Sequence, residues 1–139
     1  MKVLFDTNIV LDVLLDRKQF VELSASLVSL VETKDIEGYL CATTLTTIDY
    51  LITKTHNRKI AKASIQKLLS IFKIAKVDRE VLSLSVESKF TDFEDAVQYY
   101  SGKKAEVDSL VTRNINDYKK PNYPVYSPDE LWGIIKLNQ

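Results

Sequence analysis

The chain opens on three apolar residues, Val3, Leu4 and Phe5, stopped by the polar group Asp6-Thr7-Asn8. A short apolar run with polar ends predicts a strand buried on both faces, as in a parallel sheet. Ile9, Val10, Leu11, Val13 and Leu14 then follow at helical spacing, so a short helix is expected over 9–15, ended by Asp16-Arg17-Lys18. Leu23, Leu27, Leu30 and Val31 predict a longer helix over 20–34, with a turn at 35–38. A second strand is expected over 39–42, and Thr43 or Thr44 offers an N-cap for a helix running to about His56. Ile60, Ala63, Ile65, Leu68, Leu69 and Phe72 mark another helix from near Arg58. These two consecutive helices, spanning 44–72, are expected to form an arm with apolar surface left for a partner.

The second half repeats the alternation. A third strand is expected over 74–77, followed by a helix capped by Asp78 and running through Ser88. Thr91 and Glu94 have the spacing of a capping box, which predicts a helix starting at Asp92. Val107 and residues 109–112 give a fourth strand, and 124–126 a short last one. Ser127-Pro128-Asp129-Glu130 is a second capping box with proline at the first helical position, opening a helix with Leu131, Trp132, Ile134 and Ile135. Strands alternating with helices predict an α/β chain: a three-layer α/β/α sandwich with a mostly parallel central sheet, in one domain over 1–139.

Composition narrows the partners. Lys+Arg 19 against Asp+Glu 19 leaves a net charge of +0, so no global basic field draws in nucleic acid. Such a partner would be held by local basic patches or through metal ions. Cys41, the single cysteine, cannot form an internal disulfide and lies in an apolar run, so a buried thiol and a cytoplasmic location are expected. Asp6 and Asn8 interrupt any signal-peptide pattern, and no apolar run approaches membrane-spanning length.

Asp6 falls where a central strand gives way to a helix, and ligands bind in the crevice outside the carboxyl ends of such strands. Its carboxylate either faces a cation there or caps the following helix. Asp92, Glu94 and Asp95 open a later helix, and Asn114, Asn116 and Asp117 follow a later strand. Parallel strands bring such clusters to one edge. Carboxylates gathered in one pocket repel each other unless a cation neutralises them, and oxygen-only ligands suit Mg²⁺ or Mn²⁺. Zinc ligands are lacking, since His56 and Cys41 stand alone. Glu94 reads as the capping-box partner of Thr91, and Asp92 favours the helix dipole. Asp95 has neither role and is the sharper candidate. Asp12 is expected to face solvent. Tyr50, Tyr99, Tyr100 and Trp132 are expected to be packing groups. Arg113, Lys119 and Lys120 flank the presumed cleft, as phosphate-positioning or simply solvated cations.

Taken in order, Phe5-Asp6-Thr7-Asn8-Ile9, then residues 93–98, then residues 110–118, then Val125-Tyr126-Ser127-Pro128 resemble the motifs of a PIN domain over essentially the whole chain. The small size further resembles the VapC-like toxins of type II toxin–antitoxin pairs. The resemblance implies a Mg²⁺- or Mn²⁺-dependent endoribonuclease, usually a homodimer, restrained by a small antitoxin protein. It places the family's acidic, metal-holding positions at Asp6, Asp95 and either Asn114 or Asp117, with Asn8 and Thr112 in support. Where the family usually carries a Glu in a Thr-x-x-Glu arrangement, this chain has Thr44-Leu45-Thr46-Thr47. Asp49 lies two residues on, about 200° around a helix, so Thr47 is expected to line the cleft and Asp49 to turn away. Two other readings remain open: a PIN-like binding module with a decayed metal site, and a haloacid-dehalogenase-type phosphotransfer enzyme with Asp6 as nucleophile. In the latter, Asn8 occupies the position of the general acid.

Overall fold

A computed structural model of the chain describes residues 1–119 and 121–138. The elements run β1 (Lys2–Phe5), α1 (Thr7–Leu14), α2 (Val21–Glu32), β2 (Glu37–Cys41), α3 (Ala42–Thr55), α4 (Arg58–Ile71), β3 (Lys73–Ala75), α5 (Arg79–Glu87), α6 (Phe93–Lys104), β4 (Ser109–Val111), a 3₁₀ turn (Ile115–Asp117), β5 (Val125–Tyr126) and α7 (Pro128–Leu137). The five strands form one sheet in the order β3-β2-β1-β4-β5, and every neighbouring pair is parallel. The chain first builds outward from β1 through β2 to β3, then returns to the other side of β1 with β4. The carboxyl ends of β1 and β4 therefore flank the point where the winding reverses, where a crevice opens between diverging connections.

Strand alternation divides the core. Val3 and Phe5 point to one face and pack with Ile9, Val10, Leu27, Ile48, Ile52, Leu68 and Leu131 from α1, α2, α3, α4 and α7. Leu4 points to the other face, among Ala75, Tyr99, Val107, Leu110 and Tyr118. Cys41, buried as expected, packs with Val81 and Val97. The result is the expected three-layer arrangement. Helix α6 approaches β1 closely because residue 102 is glycine: a Cβ there would come within 2.9 Å of the Leu4 side chain and 2.7 Å of the Tyr123 hydroxyl. That approach brings the preceding turn of α6 over the end of β1.

Several expected local details differ. Asp78 and Ser127 cap their helices as predicted, the latter within a full capping box. Helix α3 instead starts at Ala42 with no side-chain cap, and Thr44 is buried inside it. Helix α6 starts at Phe93, capped by the side chain of Asp92, which accepts from the Asp95 amide at 3.0 Å. The Thr91–Glu94 box is not made, because Asp92 supplies the cap one residue later and frees Glu94. Tyr50 is 63% exposed rather than packed, with the Lys54 ammonium over its ring. Tyr99 is buried.

The largest departure is Asp12. Sequence spacing suggested solvent exposure, yet the residue is fully buried. Its two oxygens accept from Arg113 Nε at 2.8 Å and Nη2 at 3.2 Å, from Arg17 Nη1 at 3.3 Å and from Ser24 Oγ at 3.4 Å. Arg113 also lies over the Phe20 ring, 3.8 Å from its centre. Arg113 is thus an internal clamp between the end of β4 and α1, not a free cation for a phosphate. Lys119 is exposed, and Lys120 lies outside the described residues.

Candidate metal centre

Asp6 occupies the N-cap position of α1, but its carboxylate closes no capping hydrogen bond. It is instead drawn across the sheet. Thr112 Oγ1, at the end of β4, donates to Asp6 Oδ2 at 2.6 Å, and Gln98 Nε2, from α6, donates to Oδ1 at 3.2 Å. Both donors are themselves oriented. The Gln98 carbonyl oxygen accepts from the Thr7 amide at 3.0 Å, which turns its NH₂ toward Asp6. Thr112 Oγ1 accepts from the Asn114 amide at 3.1 Å, which leaves its proton for Asp6. Burial pushes the Asp6 carboxyl above its ordinary value, against the pull of the Thr112 and Gln98 hydrogen bonds and of the nearby Asn8 amide, which is too poorly aligned to count as a cap.

Asp95 stands beside it on the first turn of α6. Its pKa is raised to about 7, chiefly by burial, then by the negative charges of Asp92, Asp6, Asp117 and Glu94. Those four neighbours come from the end of β1, the start of α6 and the 3₁₀ turn after β4. The charges of Asp6, Asp92, Glu94 and Asp117 all act on Asp95, which places these acids in one neighbourhood beyond the carboxyl ends of β1 and β4. Asp92 and Asp117 are exposed at its rim. Asn114 is also exposed and acts through its backbone on Thr112. Asn8 is turned away from Asp6, its side-chain oxygen accepting from Arg17 at 3.2 Å.

Sequence reasoning missed Glu94. Released from the capping box, its carboxylate accepts from Thr7 Oγ1 at 3.4 Å. Its pKa is raised by desolvation and by the charges of Asp92 and Asp6, while the nearby Thr7 and Thr47 hydroxyls lower it. Thr47 is half-buried on α3 and draws the Glu94 carboxyl down, and Asp49 turns toward Arg58, 4.0 Å distant. Sequence reasoning also missed Gln98, Thr7 and Thr44. The last two share a hydroxyl contact of 2.8 Å beneath the acids. The available signal was periodic: Glu94, Gln98 and Ser101 lie four and three residues apart, a polar stripe on a helix that must bury that face.

The donor set suits a hard divalent cation, being carboxylate oxygen throughout. Among the described residues, no three acidic, histidine or cysteine side chains are close enough to enclose a bare ion. Mg²⁺ keeps several of its waters, so a wider ring of acids matches a partly hydrated ion. One further observation fits. The Tyr118 hydroxyl is buried, lies within the fields of Asp6, Asp95 and Asp117, and has no hydrogen-bond partner among the described residues. Burial and those acids push its pKa up. It is a donor available to a hydrated group at the acids.

Known proteins share this fold. The PIN domain family matches residues 2–116. No curated protein matches the sequence. Among solved structures, VapBC2 from Rickettsia felis, bound to a promoter DNA fragment, has a chain 16% identical, with a TM-score of 0.70 over 91% of this chain and 98% of that one. A toxin–antitoxin complex from Klebsiella pneumoniae has one 19% identical, with a TM-score of 0.68 over 91% and 97%. VapC20 of Mycobacterium tuberculosis, a sarcin–ricin-loop-cleaving toxin, is 13% identical, with a TM-score of 0.62 over 78% and 86%. These structures share the fold, and the family match covers most of the sequence: the chain belongs to the PIN domain family.

Proposed function

We propose that the protein is a Mg²⁺- or Mn²⁺-dependent endoribonuclease and the toxin of a type II toxin–antitoxin pair. The observation that carries the reading is Asp6, buried at the winding reversal of the sheet and held from two sides, with Asp95 and Asp117 converging on it. Asp6, Asp95 and Asp117 would hold the ion, and Glu94 adds a fourth carboxylate where Thr47 leaves the helix α3 side without one. A bound ion of this kind lowers the pKa of its water and offsets charge on the scissile phosphate. The chain's own residues fix the donors: Gln98 and Thr112 orient the Asp6 oxygens, and Asn114 steadies Thr112. The Arg113–Asp12 clamp holds the end of β4 against α1, so that Thr112 stays within reach of Asp6. The solved toxin–antitoxin complexes of the same fold support an antitoxin partner, and the sarcin–ricin-loop-cleaving toxin supports RNA as substrate. The arm of α3 and α4, which exposes Tyr50, Ile60 and Leu69, is the surface we assign to the antitoxin or to a second copy in a homodimer.

A second reading is favoured by one feature. Thr47 stands where a carboxylate is expected, so the chain would be a binding module with a weakened metal site. The phosphotransfer reading fares worse: Asn8, in the position of the general acid, is an amide whose side chain is turned to Arg17.

Substituting Asp6→Asn keeps the size and removes the charge. The parent should melt higher in millimolar Mg²⁺ or Mn²⁺ and cleave a mixed RNA pool. The variant should fold, lose both responses and melt no lower than the parent without metal, because repulsion with Asp95 is relieved. A parent that ignores both metals and leaves RNA intact would remove the nuclease and leave the binding module.

A further inference from the structure

Beside the acids lies a second feature that the nuclease reading does not use. A cavity of about 490 Å³ opens between the loop before α6, the middle of α6 and the segment after β4. Phe90, Tyr99 and Tyr100 line it, and Asp117 belongs both to this cavity and to the acid cleft. Its aromatic wall is already assembled. Phe90 lies 5.4 Å from Tyr99, 6.2 Å from Tyr100 and 5.8 Å from Tyr118, centre to centre, and Tyr99 stacks on Tyr123 at 4.7 Å. The Tyr99 hydroxyl is further pinned by the Asn122 amide. A ligand entering here meets rings that need no ordering, so little of the binding energy is lost to rearrangement.

The polar groups narrow the ligand. Asn116 brings an exposed side-chain amide, with both donors and an acceptor, to the wall. Lys89 and Lys119 stand exposed at the mouth, and neither forms an ion pair among the described residues. A flat π-faced body with a hydrogen-bonding edge, attached to an anion, matches aromatic wall, amide and lysines in turn. The volume falls within the range of small-ligand sites, roughly 300–1,000 Å³.

We propose that this cavity is a nucleobase subsite: it takes one unstacked base of a single-stranded RNA, and the adjoining phosphate is delivered past Asp117 to the acids. The inference rests on the nuclease reading for its substrate. It adds the point that selects among sequences, since Asn116 reads a base edge while the acids would meet phosphate only through a bound cation. It also explains how a chain without a net basic charge engages RNA: stacking and two local lysines replace a broad positive face.

The test uses the ¹⁵N-labelled parent protein in millimolar Mg²⁺, titrated separately with uridine monophosphate, adenosine monophosphate, ribose 5-phosphate and inorganic phosphate. The nucleotides should shift amide resonances in 88–90 and 99–100, away from the acids that would hold the ion. Ribose 5-phosphate and phosphate should leave them in place. Tyr100→Leu should weaken nucleotide binding about tenfold, the size of one lost base stack. Asn116→Ala, an exposed change that spares the fold, should alter the preference between the two bases. Equal shifts from ribose 5-phosphate would overturn the proposal, showing a phosphate site only; so would nucleotide shifts that map elsewhere. Cleavage of an RNA pool by the same preparation separates the two readings. Cleavage without nucleotide shifts removes the subsite and keeps the nuclease. Nucleotide shifts without cleavage keep the subsite and remove the nuclease.

Discussion

Removing the Asp12 carboxylate is the sharpest test of how the site is held. Asp12 is 0% exposed and faces two guanidinium groups, whose side chains are 21% exposed for Arg113 and 34% for Arg17. Asp12→Ala would strand both cations and the Ser24 hydroxyl. Breaking a buried ion pair by deleting one partner costs about 3–5 kcal/mol. Both arginines keep some access to water, so the lower end applies, about 3 kcal/mol. For a chain of 139 residues, an unfolding entropy of about 2.1 cal/mol/K per residue converts each kcal/mol to about 3 °C, so Tm should fall by about 10 °C. The replacement Asp12→Leu with Arg113→Met, which exchanges charges for apolar volume but leaves Arg17 unpaired, should recover part of that loss. Differential scanning calorimetry of parent, single and double variants measures both quantities. A fall of less than about 3 °C for Asp12→Ala would refute the buried clamp. So would a double variant no more stable than the single one.

Three further outcomes follow from the cleft. The Asp95 pKa of about 7 exceeds the value of about 3.9 in an unfolded chain, so the folded state holds the proton more tightly. Stability from that proton is complete below about pH 4 and lost as pH rises through about 7. Metal-free protein should therefore melt higher near pH 5 than near pH 8, with Mg²⁺ closing the gap, and an identical melting point at both pH values would count against the crowded acids. Glu94→Gln should shrink the Mg²⁺-dependent rise in Tm, and Thr47→Glu in that background should restore it; an unchanged Mg²⁺ response in Glu94→Gln would exclude Glu94 from the ion. Tyr118→Phe removes a buried hydroxyl without a partner among the described residues, whose burial costs about 1–3 kcal/mol. The metal-free variant should melt about 3 °C or more above the parent, and a lower melting point would show that the hydroxyl is bonded.

The apolar run Val3-Leu4-Phe5, the helical spacing of Leu23, Leu27, Leu30 and Val31, and the caps at Asp78 and Ser127 were legible in the sequence, because each depends on residues within a turn or two of one another. The same local logic picked out Asp6, Asp95 and Asp117 as candidates, since acids that end strands or open helices in an α/β chain share one sheet edge. What the sequence could not show is which local option wins where two compete. Glu94 could cap α6 or join the cleft, and the choice turned on Asp92 taking the cap. Asp6 could cap α1, but Gln98 and Thr112, each more than 90 residues away, offered its oxygens better donors. Asp12 looked like a surface acid because nothing near it in sequence betrays Arg113, which is 101 residues away. Local propensity is a matter of a few neighbouring backbone groups. A buried charge is decided by whatever partners the folded sheet carries to it, and only the tertiary structure supplies those.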